Sequence, residues 1–187
     1  MPHVELTSPL PGITGLLNTF TEPAAPIRDL TQVIMRGENT LSFGERELIA
    51  SAVCVGNSCE FCSNAHIAAA ARYVGSAQQV RELLDDQAGS SSVSSDLKLH
   101  HLLSISRSVG QSGKNATPEM FAAARMAGAT DQELHDTVLI AALFSLYNRY
   151  VDGMATDVPA DASYYETLAD RLTTAGYVAK GASNGTH

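Results

Sequence analysis

The sequence predicts an all-α fold, one domain built as an irregular helical bundle. Three observations carry that reading. Apolar residues recur at three- and four-residue spacing through most of the chain. Two capping boxes, Ser42-Phe-Gly-Glu45 and Thr130-Asp-Gln-Glu133, each mark the start of an apolar run. No segment alternates cleanly enough to be read as a strand.

The elements follow in order. Residues 1–22 form a Pro-punctuated arm, with a short helical turn at 12–20. Pro23 to Met35 places Ile27, Leu30 and Ile34 on one side of a helix that Gly37 ends. The Ser42 box opens a helix to about Val55, with Leu48, Ala52 and Val55 as its apolar face and Gly56 and Asn57 as its stop. Ser58 is then placed to cap a helix from Cys59 to Gly75. Its Ala68–Ala71 run favours helix and close approach of a neighbour. Ser76 caps a short helix, and Gln87 to Ser95 reads as a soft loop. Helices follow from Asp96 to Val109, from Thr117-Pro to Gly128, and from the Thr130 box to Met154. The middle of that last one, Val138 to Phe144, is apolar all round and so reads as buried. A final helix spans Ala162 to Ala175. The domain is expected to run over 23–178, and 179–187 reads as a disordered tail.

Bulk properties narrow the function. The chain has 187 residues, of which 44% are apolar and only 17% charged. A chain this lightly charged can hide surface in an oligomer. The net charge of −8 argues against nucleic acid, since phosphate contacts need a basic patch. The longest apolar run is too short for a membrane span, and the first residues lack a basic n-region. With three cysteines, the expectation is a cytoplasmic protein whose C-x-x-C is chemical rather than a structural disulfide.

All three cysteines fall between Glu47 and His66, in ELIASAVCVGNSCEFCSNAH. On one helix, Cys59, Cys62 and His66 stand at i, i+3 and i+7, a single face. The first turn of a helix favours an anion, which would favour thiolate. His66 can take the proton of Cys62, and Glu47 on the preceding helix can orient His66. A thiol three residues from another is placed to close a disulfide once the first is oxidised. The same residues, with Cys54, also fit a C-x4-C-x2-C-x3-H zinc set, the reading of a zinc-stabilised structural protein. On its own, Cys54 reads as a small buried apolar residue. Asn148, Arg149 and Asp152 share one side of the long helix, which suggests a buried Arg–Asp pair or a subunit contact. Tyr147 and Tyr150 read as packing, and His135 as a surface or interface residue.

The pattern Glu47-x11-Cys59-x-x-Cys62-x3-His66, with RGENTLSFGERELIASAV before it and LIAALFSLYNRYVDGMA late in the chain, resembles the alkylhydroperoxidase AhpD-like family. That family lies in the carboxymuconolactone decarboxylase superfamily, and the likeness is to its peroxidase-related group. The resemblance covers roughly residues 25–155 and implies an AhpD-like all-α fold in a homo-oligomer, a trimer or hexamer. It implies a hydroperoxide reductase in which Cys62 attacks and passes through sulfenic acid, Cys59 resolves it, and Glu47 and His66 relay protons. No cofactor is expected to be bound; an external dithiol, such as the lipoyl group of a protein, recharges the pair. One departure is visible. Glu60 and Phe61 fill the motif where well-studied members have a His, and a carboxylate beside the thiols opposes thiolate. That departure motivates the alternative of a protein disulfide oxidoreductase or redox sensor on the same fold.

Overall fold

The computed structural model describes residues 1–85 and 96–178. The soft loop expected at 87–95 and the tail expected at 179–187 lie outside these residues. Among the described residues there are nine α-helices and no strand: α1 Gly12–Thr19, α2 Thr21–Arg36, α3 Phe43–Gly56, α4 Glu60–Val74, α5 Ala77–Asp85, α6 Leu97–Gln111, α7 Pro118–Met126, α8 Asp131–Gly153 and α9 Ala162–Ala175. None of these helices is long and apolar enough to cross a membrane.

Two helices sit at the centre. Ten of the fourteen residues of α3 are buried, from Gly44 to Cys54, and α4 buries Ala68 to Ala71 without a break. The small side chains of α4 let α3 pack on one side of it and α9 on the other. Helices α6 and α8 close the far side of α3. Helix α1 joins the bundle from the N-terminal arm, with Leu16 and Leu17 buried.

Both capping boxes form. Ser42 accepts from the Glu45 N–H while the Glu45 carboxylate accepts from the Ser42 N–H, and Thr130 and Glu133 do the same. Elsewhere the local reading needs correction. Helix α2 begins at Thr21, with Pro26 inside it, and its Leu30 is exposed. Val55 is also exposed, because α3 has rotated out of the core by its last turn. Helix α8 is not buried all round. Ala142 and Leu146 are exposed in the single chain, since α6 and α3 cover only one side of it.

The most consequential correction lies between α3 and α4. Ser58 does not cap α4; it sits in the left-handed region with φ +58°. Its N–H donates to the Val55 carbonyl and the Cys59 N–H donates to the Cys54 carbonyl. That pair of bonds is a Schellman closure of α3, with Ser at the position usually given to Gly. Cys59 itself becomes the N-cap of α4, one residue outside the first turn.

Candidate functional site

Glu47 and His66 face each other across the α3–α4 packing. His66 Nδ1 lies 2.8 Å from Glu47 Oε2. The carboxylate has no proton to give, so Nδ1 carries it and donates. Among the described residues, Nε2 of the ring has no partner. The other carboxylate oxygen, Oε1, accepts from Arg36 Nη2 at 2.5 Å and from the Tyr177 hydroxyl at 2.8 Å.

Glu47 is wholly buried. Burial alone would raise its pKa. The hydrogen bond and charge of His66, then the Arg36 guanidinium, outweigh that and hold the carboxyl below its ordinary value. Burial, then the Glu47 charge, pushes the Tyr177 phenol well up.

The thiols occupy the adjoining part of the same helix pair. Cys54 and Cys59 are fully buried and Cys62 is nearly so, and all three are free. Asn148, buried on α8, donates Nδ2 to the Cys54 sulfur at 3.2 Å and accepts from Asn57. The thiol of Cys62 meets those of Cys54 and Cys59. Cys59 is pushed far above an ordinary thiol, first by its contact with Cys62 and then by burial. Cys62 is also pushed up, first by contact with Cys54; contact with Cys59 acts against this, and burial adds to the rise. The expectation that the helix start favours thiolate is therefore overturned. In this reduced arrangement the neighbouring thiols and the dry surroundings outweigh the dipole.

A cavity of about 620 Å3 opens onto this wall. Cys62 and His66 both line it, as their shared helical face requires; Cys59 and Cys54 do not. Phe61, Leu17, Phe144 and Leu172 make its lining largely apolar. Phe144 meets the His66 ring edge-on, with centroids 4.4 Å apart. Gly12 permits one wall. It has φ +58°, and a Cβ added there would overlap the Phe61 ring.

Other sequence readings can now be placed. Glu60 is exposed, so its charge points away from the thiols, while Phe61 turns into the cavity. Arg149 and Asp152 form no ion pair among the described residues. Arg149 donates instead to the Ser145 and Gly110 carbonyls, and Asp152 approaches Cys59. Tyr147 is packed, bonded to Thr31 at 2.6 Å, and also lines the cavity. His135 is at the surface beside Asp136. Among the described residues, no group of three or more His, Cys, Asp or Glu side chains is arranged to hold a metal ion. Sequence reasoning missed Arg36 and Tyr177, which reach the site from the end of α2 and from beyond α9.

The pattern of the carboxymuconolactone decarboxylase family matches residues 22–94, the stretch that holds Glu47, the cysteines and His66. Two solved structures share the fold. One is an uncharacterized peroxidase-related protein from Silicibacter sp. TM1040, with a TM-score of 0.71 and 23% identity over 83% of this chain and 78% of that one. The other is an alkylhydroperoxidase AhpD core, an uncharacterized peroxidase-related protein from Ralstonia eutropha JMP134. It has a TM-score of 0.70 and 21% identity over 86% of this chain and 81% of that one. This chain has the all-helical fold of these peroxidase-related, AhpD-like structures. No curated protein matches its sequence. The stretch matched by the family pattern supplies the carboxylate, the imidazole and all three thiols. Helix α8, Tyr177 and most of the cavity wall come from outside it.

Proposed function

We propose that the protein is a hydroperoxide reductase working through the Cys59/Cys62 pair. The observation that carries this is the division of exposure between the two thiols: Cys62 lines the cavity beside His66, and Cys59 is sealed behind it. In the proposed cycle Cys62 gives up its proton toward the His66–Glu47 dyad, and its sulfur attacks the O–O bond. The alcohol leaves and Cys62 becomes sulfenic acid. Cys59 then attacks that sulfur, water leaves, and a Cys59–Cys62 disulfide forms. An external dithiol, such as a lipoyl group, takes up the oxidising equivalents and restores both thiols. The raised thiol pKa values make a nearby base necessary, and the dyad supplies one.

A homo-oligomer belongs to this proposal. Ala142 and Leu146 are exposed on α8 and, with the half-buried Val138 and Leu139 before them, offer an apolar stripe for it. The thiol cycle suits a reducing cytoplasm. The protein disulfide oxidoreductase reading is less well supported, because a sealed Cys59 and a recessed Cys62 are poorly placed to meet a partner's cysteine.

The test is a thiol count before and after one equivalent of cumene hydroperoxide, with mass spectrometry of the Cys54–His66 peptide. Loss of two thiols to a Cys59–Cys62 disulfide, reversed by dihydrolipoamide, is the expected result. Three unchanged thiols would sink the proposal.

A further inference from the structure

The charges on the cavity wall run against those of the chain. The protein carries 20 acidic and 12 basic side chains, yet among the described residues the cavity is lined by two arginines, Arg28 and Arg171, and by no Asp, Glu or Lys. Neither arginine has a carboxylate partner among the described residues. Arg28 donates to the neutral side chain of Asn18 at 2.6 Å. The charged or ionisable groups acting on Arg171 are Tyr164, Arg28 and Tyr177, so one guanidinium feels the other. Asp170, next to Arg171 in sequence, is turned away and bonds Arg72. Two like charges beside an apolar cavity, with no carboxylate against them among the described residues, form a site for an anion. Glu47 does not fill that role, because Arg36, His66 and Tyr177 already satisfy it behind the wall.

We propose that this cavity takes an amphipathic carboxylate, its apolar body against Phe61, Leu17, Leu168 and Leu172 and its carboxylate held between Arg28 and Arg171. Resting on the peroxidase reading, the substrate class becomes an organic hydroperoxide with a free acid group, such as a fatty-acid hydroperoxide. The arginines fix the acid end, and the –OOH group is left to meet Cys62. A cavity of this size falls within the range that encloses such a ligand.

The test has a binding arm and a turnover arm, both on the full chain. Calorimetry with sodium decanoate and with 1-decanol is expected to show decanoate binding about tenfold tighter, with the difference shrinking in 0.5 M NaCl. In the double variant Arg28→Gln/Arg171→Gln the ratio of the two affinities falls toward one. Arg171→Lys, which keeps the charge, retains most of it. Equal binding of the two probes, or a ratio unmoved in the double variant, overturns the anion site. In the turnover arm, linoleic acid 13-hydroperoxide is expected to exceed its methyl ester in kcat/KM by a similar factor. Decanoate bound through the arginines, with neither hydroperoxide reduced, overturns the peroxidase reading and leaves the anion site standing. Both hydroperoxides reduced equally, with no preference for decanoate, overturns the anion site and leaves the peroxidase reading standing.

Discussion

The α3–α4 pair buries two sets of ionisable groups about equally deeply and treats them in opposite ways. At one end, Glu47 is given three donors, one of them a guanidinium, and stays ionised with its pKa held down. At the other, Cys59 and Cys62 are given mainly other thiols and apolar side chains, and their pKa values are driven up. Depth is therefore not what decides charge here. The supply of donors and countercharge does. A carboxylate kept charged near a thiol kept neutral is a resting state in which the proton sits on the sulfur; in the proposed cycle its acceptor, His66, is one helical turn away.

The sharpest way to break that contrast is at the thiol end. Cys62→Ser should abolish hydroperoxide reduction, while Cys59→Ser should leave a Cys62 sulfenic acid that dimedone traps. Equal, undiminished turnover in both variants would remove the thiols from the chemistry.

The carboxylate end should respond in stability. Glu47→Gln leaves the Arg36 charge buried without its partner and should cost about 3–5 kcal/mol in urea denaturation. The pH dependence follows from the same group. Its folded pKa is depressed, so its contribution is fully present above the ordinary Glu value of about 4.3 and is lost as pH falls through the lower folded value. The wild type should therefore lose stability steeply below about pH 4.3. Glu47→Gln should show a shallower loss over that window; parallel curves would assign the acid sensitivity elsewhere.

A milder change tests one donor at a time. Tyr177→Phe removes one hydrogen bond to a charged acceptor and should cost about 1.5–2 kcal/mol in the same assay. The smallest effect belongs to the turn that separates the two helices. Ser58→Gly relieves a left-handed residue and should stabilise by about 0.5–1 kcal/mol, read as a rise in the urea midpoint. A loss of stability there would mean that the serine hydroxyl matters more than the backbone.

The helices were legible because their signals are local. Ser42 with Glu45, and Thr130 with Glu133, declare their own starts within four residues. Glu47 and His66 could be paired because both stand in the stretch that carries the family likeness. Ser58 misled because a Ser after Gly56-Asn57 reads as a cap, whereas the backbone uses it to finish the previous helix; only the Cys59 to Cys54 bond reveals this. Arg36 and Tyr177 left no mark in the sequence, since nothing near either residue says that it reaches Glu47. The same holds for Arg28 and Arg171, which stand 143 positions apart by number and meet only through the packing of the cavity wall. The direction of the thiol shifts was misjudged because a helix start can be read from a pattern, but the contacts among Cys54, Cys59 and Cys62 need coordinates.

The spread of donors along the chain also sets an order of assembly. Arg36 lies 11 residues from Glu47 and His66 lies 19 away, so both are available as soon as α2 to α4 are made. Tyr177 lies 130 residues further on than Glu47. On the ribosome, where N-terminal parts are synthesised first, the carboxylate meets its guanidinium and imidazole early and waits for its phenol until almost all of the domain has emerged. The central helix pair can thus form while the charge is still open to water, and the turn after α9 closes it off only once that later segment has been made.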